Sequence, residues 1–200
     1  QVIKATQQCI ARDGIGNLTL QRIADEAGVS KGIVSHYFQN KQDVLIQTFQ
    51  AMIAQYDARL EAGMTANRSP QGFLDLILDA TFNEPVFEQE LFPPVFIHFW
   101  AECLLDPQFH AVVKAMYERY GSATRAVIEA GMEMGAFRAG DAAQVAHGFI
   151  ALMDGLMLQY ALHLDLFDLA EARAICAGYL NATLLGASSQ HGEAKCGGTT

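Results

Sequence analysis

The stretch at residues 19–41 restricts the fold more than any other, because its pattern is that of two short helices joined by a tight turn. Apolar residues recur every three or four positions over residues 20–27, which predicts a helix with one buried face. Thr19 precedes this helix and is suited to cap its start, since its hydroxyl can accept a hydrogen bond from a free backbone N–H. Gly28 follows directly, where a backbone that closes a helix often needs a positive φ.

The second helix, predicted over about residues 31–38, carries polar residues on the side away from the core. Ser30 can cap its start, and Val34 and Phe38 lie one turn apart, where both can pack inward. The outward residues are Lys31, Gly32, Ser35 and His36. This arrangement indicates a helix-turn-helix, whose second helix enters the major groove of DNA. The alternative is an ordinary helical hairpin. The combination of Gly28 at the corner, Ser30 as a cap and Lys31-Gly32 facing outward disfavours it.

The start of the second helix is the part that meets DNA in a helix-turn-helix. We therefore expect Lys31 and Ile33 at base edges, while Gly32 lets the backbone approach the duplex closely. Hydroxyl and ammonium donors suit phosphate oxygens, and such contacts fix register without specifying sequence. The donors in question belong to Ser30, Tyr37 and Lys41.

The same stretch resembles the DNA-binding domain of TetR-type transcriptional regulators, in the blocks Ile23-Ala24, Gly28-Val29-Ser30-Lys31-Gly32, His36-Tyr37-Phe38 and Lys41. The resemblance implies an all-α homodimer, with a three-helix DNA-binding head on each subunit and a larger C-terminal bundle that binds a small molecule and dimerises. It also implies DNA contacts at ten positions, which are Thr19, Gln21, Ser30, Lys31, Gly32, Ile33, Ser35, His36, Tyr37 and Lys41. Ser35 departs from the pattern of many relatives, which have an aromatic residue there.

A narrower resemblance concerns the C-terminal part of the chain. Three segments are similar to the choline-responsive repressors of betaine synthesis: Ser35-His36-Tyr37-Phe38, Phe99-Trp100-Ala101 and Ala151-Leu152-Met153-Asp154-Gly155-Leu156. This likeness is weaker than the likeness to the family as a whole.

Charge is distributed unevenly along the chain. The formal net charge of −9 should repel a polyanion, yet residues 1–45 hold five Lys and Arg against four Asp and Glu, a net of +1. The rest of the chain therefore carries −10. Helical spacing already begins at Val2, so we expect further basic residues in an arm upstream of the first helix.

The chain is predicted to contain about nine helices and to be all-α. Capping residues mark several helix starts, at Asn40, Ser69, Asp106, Asp141 and Asp168. No alternating strand pattern is present. We expect a helix-turn-helix DNA-binding domain at residues 1–45, a ligand-binding and dimerisation domain at residues 46–186, and a disordered tail at residues 187–200.

Two late helices, predicted over about residues 142–163 and 169–185, have apolar residues on more than one face. One face of the first holds Val145, Phe149, Leu152 and Leu156, and another holds Ile150, Met153, Met157 and Leu164. A helix of this kind needs apolar packing partners on more than one side. We expect the second face to pack against another subunit across a two-fold axis, the alternative being a fully internal helix.

The C-terminal bundle offers candidates for a ligand site: Phe96, Phe99, Trp100, Tyr117, Met153, Asp154, Met157 and Tyr160. A plain hydrophobic core would use most of the same residue types. Trp100 and Tyr160 have polar tips that require partners when buried, and their ring faces can hold a cation. Asp154 lies in an apolar helix, where its carboxylate can pair with a quaternary ammonium or other amphipathic cation. It can equally point to solvent or bond across the dimer axis.

Other function classes have little support in the sequence. The four cysteines are scattered, which fits reduced thiols in a cytoplasmic protein, and no Cys/His pair has zinc spacing. No segment is apolar enough to span a membrane, and no catalytic or cofactor-binding motif is present. We therefore expect a repressor that binds a palindromic operator as a dimer and is released by a small molecule, without a metal or cofactor. The alternatives are a helical sensor or carrier that does not bind DNA, and an all-α enzyme.

Overall fold

The computed structural model of the chain describes residues 1–64, 69–82 and 92–185. These residues form nine α-helices and no β-strand, so the predicted all-α fold is confirmed. The helices are α1 (Val2–Asp13), α2 (Leu20–Ala27), α3 (Lys31–Tyr37), α4 (Lys41–Met64), α5 (Pro70–Phe82), α6 (Phe92–Cys103), α7 (Pro107–Glu133), α8 (Ala142–Ala161) and α9 (Leu169–Leu180). A short π-helical turn, Asn181–Leu185, follows α9. The predicted tail at residues 187–200 lies outside the described residues.

The turn between α2 and α3 has the predicted capping. The Thr19 hydroxyl accepts a hydrogen bond from the backbone N–H of Arg22 at 3.2 Å, and Gly28 ends α2 with φ of 65°. The Ser30 hydroxyl accepts from the N–H of Ile33 at 3.4 Å. These local interactions fix the angle between the two helices, so the helix-turn-helix geometry is confirmed.

Side-chain caps also begin the helices of the C-terminal part. Asp106 accepts hydrogen bonds from two N–H groups of α7, and Asp141 accepts from Gln144 at 3.0 Å at the start of α8. Asp168 and Glu171 form a reciprocal capping box at the start of α9. Each bond satisfies an N–H group that lacks a partner within its own helix, which fixes where the helix begins.

The first core joins residues 1–45, which we call the head, to the base of the C-terminal part. Phe49 of α4 is fully buried, and its ring centroid lies 5.1 Å from that of Phe99 and 5.2 Å from that of Phe109. Ile10, Ile23 and Val34 of the head belong to the same cluster of buried residues. Helices α4, α6 and α7 therefore connect the head to the bundle through one shared core.

A second core fills the far end of the bundle, between α5, α7, α8 and α9. It includes Leu78, Ile128, Phe149 and Leu180, all almost completely buried. Helix α8 ends at Ala161 rather than near the predicted His163. His163 and Asp165 have positive φ values of 52° and 50°, which a continuing helix does not allow.

Candidate DNA-binding and effector sites

Helix α3 presents a continuous exposed surface. Val34 is fully buried beneath it, whereas the exposed fractions of Ile33 and Tyr37 are 46% and 68%. Nine of the ten positions predicted to contact DNA are exposed, and Lys41 alone among the ten is half-buried. The exposed isoleucine and tyrosine lie beside polar neighbours, so this surface can offer both apolar and hydrogen-bonding contacts to another molecule.

Four of these ten side chains already form hydrogen bonds within the head, and one of them is Ser30, whose hydroxyl caps α3. The Gln21 amide donates to Asp25 Oδ1 at 2.7 Å, and the Thr19 hydroxyl caps α2. Lys41 Nζ donates to the backbone oxygen of Ile15 at 2.5 Å. This bond uses one of the three protons of the ammonium group and holds the side chain beside the start of α4.

Carboxylates within the head neutralise part of its positive charge. Arg12 lies 2.8 Å from Glu26 and 3.1 Å from Asp13, and Arg22 lies 3.8 Å from Asp13. The hydrogen bond from Arg12 lowers the pKa of the Asp13 carboxyl. Lys31 at the start of α3 has no ion pair among the described residues, so its charge is available to a ligand of the α3 surface.

The C-terminal bundle encloses a cavity of about 160 Å³ between α4, α5, α6, α7 and α8. A comparable apolar cavity of roughly 150 Å³ binds benzene, so the space suits a small organic molecule. The lining residues are Met52, Ile53, Tyr56, Leu60, Phe73, Ile77, Ala80, Thr81, Phe96, Ile97, Trp100, Met116, Tyr117, Tyr120, Ala123, Thr124, Ile150, Met153, Asp154, Met157 and Leu158.

Six of the eight residues predicted for a ligand site line this cavity, namely Phe96, Trp100, Tyr117, Met153, Asp154 and Met157. Phe99 does not line it. Although Phe96 and Trp100 share one face of α6, Phe99 points from the neighbouring face into the first core, between Phe49 and Phe109. Tyr160 does not line the cavity either, because it packs against the second core.

The wall contributed by α4 and α5 was not predicted as part of a ligand site. It is apolar except for Tyr56 and Thr81, whose hydroxyl groups form a hydrogen bond of 3.1 Å with each other. Tyr120 of α7 lies nearby, with its ring centroid 5.6 Å from that of Tyr56. The apolar stripe of α4 was visible in the sequence, but nothing in its composition separated a cavity wall from a core.

A chain of hydrogen bonds ends on the carboxylate of the cavity. Trp100 Nε1 donates to the Tyr117 hydroxyl at 3.2 Å, and this hydroxyl donates to Asp154 Oδ2 at 2.9 Å. Burial raises the pKa of Asp154 to about 6, an effect that the hydrogen bond from Tyr117 partly offsets. The pKa of Tyr117 is also raised, mainly by burial and by the nearby carboxylate. At neutral pH the cavity therefore holds one negative charge among aromatic rings.

The outer faces of α8 and α9 form an exposed apolar surface, which we call the outer face. On α8 it consists of Ala151, the half-buried Gly155 and Leu158, with Leu162 directly after the helix. On α9 it consists of Ala174, Ile175 and Gly178, with Ala182 and Leu185 in the π-helical turn that follows. The prediction that Ile150, Met153 and Met157 face another subunit was wrong, because all three line the cavity. The cavity thus provides the second apolar environment that α8 requires.

Among the described residues, no group of three or more His, Cys, Asp or Glu side chains is placed to hold a metal ion. None of the described helices combines the length and the apolar character needed to cross a membrane.

Comparison with known proteins places both parts of the chain in one family. Residues 2–48 match the family described as bacterial regulatory proteins, tetR family, and residues 70–185 match the C-terminal domain of BetI-type transcriptional repressors. The chain is 29% identical over 191 residues to the HTH-type transcriptional regulator BetI of Pseudomonas fluorescens, covering 92% of this chain and 91% of that protein. It is 30% identical over 186 residues to BetI of Pseudomonas aeruginosa, with the same coverage.

Solved structures have the same fold. A TetR transcription regulator from Haloarcula marismortui superposes with a TM-score of 0.82 at 25% identity, over 92% of this chain and 96% of the other. A regulator from Saccharomonospora viridis in complex with choline also has a TM-score of 0.82, at 22% identity, over 92% and 95% of the two chains.

Regulators of this kind bind DNA, dimerise and respond to small-molecule effectors. The helix-turn-helix, the cavity and both sequence matches lead to one conclusion. This chain belongs to the TetR family, has a BetI-type C-terminal domain, and is a ligand-responsive DNA-binding transcriptional regulator.

Proposed function

We propose that this regulator is a homodimeric repressor that leaves its operator when a small organic cation, of the quaternary ammonium class, binds in the cavity of the bundle. In this proposal residues 1–45 bind DNA, and residues 46–186 bind the cation and form the dimer. The observation that carries the effector class is the carboxylate of Asp154, which is held by Tyr117 in a cavity with aromatic walls.

On DNA, α3 occupies the major groove. Its first turn brings Lys31 and Ile33 to base edges, with Gly32 allowing close approach of the backbone. Phosphate oxygens accept hydrogen bonds from Ser30, Tyr37 and Lys41, and the remaining contacts are made by Thr19, Gln21, Ser35 and His36. The exposure of nine of these ten residues supports this assignment.

The second copy of the chain packs on the outer face of α8 and α9. Leu162 and Ile175 have exposed fractions of 52% and 45%, and burying them removes apolar surface from water. Small residues such as Gly155 and Gly178 let helices of two subunits approach closely. A two-fold dimer of this kind sets two α3 helices about 34–36 Å apart, in successive major grooves of a palindromic site.

A quaternary ammonium ion fits the chemistry of the cavity better than a neutral or anionic molecule. The buried carboxylate of Asp154 gains a counter-ion, and the rings of Phe96, Trp100 and Tyr117 offer their electron-rich faces to the positive charge. The choline found in the Saccharomonospora viridis regulator supports the same class of ligand.

The DNA-binding part of the proposal is tested with the DNA upstream of the gene in a mobility-shift titration. Lys31→Ala and Tyr37→Phe are expected to weaken binding at least about tenfold, while their melting temperatures stay close to that of the wild type. Lys114→Ala is the matched control, because this exposed lysine lies on α7 and pairs with Glu118. Unchanged DNA affinity in both head variants would contradict the groove assignment.

The effector part is tested by titrating choline chloride and following the fluorescence of Trp100. Asp154→Asn is expected to lose most of the affinity for choline, whereas Glu118→Gln, an exposed change on α7, is expected to keep it. Choline binding with no change in operator affinity would instead favour a sensor that does not act through DNA.

A further inference from the structure

Part of the cavity wall is exposed at the surface of the molecule. Among its described lining residues, Ala123 of α7 and Leu158 of α8 are exposed, and the others are buried or half-buried. The exposed fraction of Leu158 is 37%, although the same side chain forms part of the cavity wall. We call the part of the wall at Leu158 the cavity mouth.

The cavity mouth coincides with the outer face of α8. Leu158 follows Gly155 by one turn and precedes Leu162 by another, so the three residues form one stripe along the helix. This stripe has no charged side chain, and the neighbouring part of α9 adds Ile175 and Gly178. Leu158 therefore belongs to the cavity wall and to the apolar outer face at the same time.

We propose that a second copy of this chain covers Leu158 and closes the cavity mouth, so that each effector site is complete only in the dimer. The inference rests on the homodimer described under the proposed function. A second copy is the occupant that suits the surface, because an apolar face with small residues is self-complementary across a two-fold axis. A strongly charged partner would find no opposite charge along the stripe.

Closing the mouth changes the energetics of the effector site. Excluding water lowers the effective dielectric constant around Asp154 and strengthens its attraction to a bound cation. By linkage, an effector that binds the dimer more tightly than the monomer must strengthen the dimer by the same factor. Effector affinity therefore depends on the concentration of the protein.

The test uses Trp100, the one tryptophan of the chain, which lines the cavity. Its fluorescence is quenched with acrylamide over a dilution series of the wild-type protein, and the dimer fraction is measured in parallel by sedimentation. We expect quenching to decrease in step with the dimer fraction, because the second copy blocks the entry of acrylamide. The measurement needs no effector.

Two variants distinguish closure of the cavity mouth from other effects of protein concentration on the quenching of Trp100. Ile175→Arg lies on the outer face but does not line the cavity, so it is expected to give a monomer whose Trp100 is quenched equally at every concentration. Met134→Arg changes an exposed residue after the end of α7 and is expected to behave as the wild type. Circular dichroism verifies that both variants are folded.

The possible results separate closure of the cavity mouth from dimerisation itself. A wild-type dimer whose Trp100 is quenched as strongly as in the monomer overturns closure and leaves the homodimer intact. A chain that sediments only as a monomer overturns both. Failure of choline to bind contradicts the cation proposal alone.

Discussion

His98, on the helix that lines the cavity, lies directly against Gly14, the residue that ends the first helix of the head. A Cβ atom placed on Gly14 would stand 3.3 Å from His98 Cε1, so the imidazole ring and the glycine are in contact. Phe96, Ile97 and Trp100 of the same helix face the cavity. A shift of α6 on effector binding would therefore reach the head through this contact.

We expect His98→Ala to reduce the response of DNA binding to choline. Couplings between two binding sites are commonly roughly 5- to 150-fold in affinity, and loss of this contact should remove a substantial part of that factor. The measurement is the ratio of operator affinities with and without saturating choline. His110→Ala, an exposed histidine near the start of α7, serves as the control. An unchanged ratio in His98→Ala would show that the coupling takes another route.

The affinity for a cationic effector is expected to decrease as the pH falls through about 6. The pKa of Asp154 is raised to about 6, and below this pH a proton occupies the carboxylate that the cation needs. A single competing proton weakens binding by about tenfold per pH unit below that pKa. Calorimetric titrations of choline between pH 5 and pH 8 check this, with Asp154→Asn expected to bind weakly at every pH.

Tyr117→Phe is expected to move this pH dependence to a higher pH. The Tyr117 hydroxyl stabilises the charged form of Asp154, so its removal leaves the raising effect of burial without this opposing hydrogen bond. The midpoint of choline binding against pH reports the change. A midpoint that stays at the wild-type value would show that the hydrogen bond does not control the charge of Asp154.

Asp154→Asn is expected to stabilise the fold at neutral and alkaline pH. The carboxyl group titrates at an ordinary pKa of 3.8 when unfolded and at about 6 when folded, so the folded state binds the proton more tightly. Its ionisation therefore costs stability as the pH rises above 4, reaching about 3 kcal/mol above pH 6. Urea unfolding at pH 4 and pH 8 measures the difference. A variant that is less stable than the wild type at pH 8 would contradict this account.

Two glycines of α7 are expected to respond oppositely to the same substitution. A Cβ on Gly131 would collide with the ring of Phe137, and both residues are buried, so Gly131→Ala should cost about 1–3 kcal/mol through overpacking. Gly121 has no heavy atom within 4 Å of a new Cβ, and Gly121→Ala should stabilise the helix by about 0.5–1 kcal/mol. Thermal unfolding of both variants tests the pair. Similar changes in both would contradict the close contact with Phe137.

The helix-turn-helix was predictable because its determinants are local. The capping hydroxyls of Thr19 and Ser30 and the positive φ of Gly28 act within three or four residues of their own positions. Their spacing in the sequence therefore specifies the geometry of the turn. The same reasoning located the starts of α7, α8 and α9.

The effector site was predictable only in part, because a cavity depends on how helices rotate against one another. Phe96 and Phe99 are the same residue type on one helix, yet one lines the cavity and the other fills a core. Met153 and Met157 were predicted both for a ligand site and for a face toward another subunit, because an apolar face has the same composition whether it lines a cavity or contacts a second chain. Asp154 could be singled out because a carboxylate in an apolar helix requires an explanation.

The ion pairs of Arg12 and Arg22 have a consequence for how the protein behaves among genomic DNA. Guanidinium groups already engaged by Asp13 and Glu26 add little to the general attraction toward a polyanion. We therefore expect random duplex to retain the head only briefly. Residence on a chromosome should then be governed by the fit between α3 and a particular groove, with few molecules sequestered at irrelevant sites.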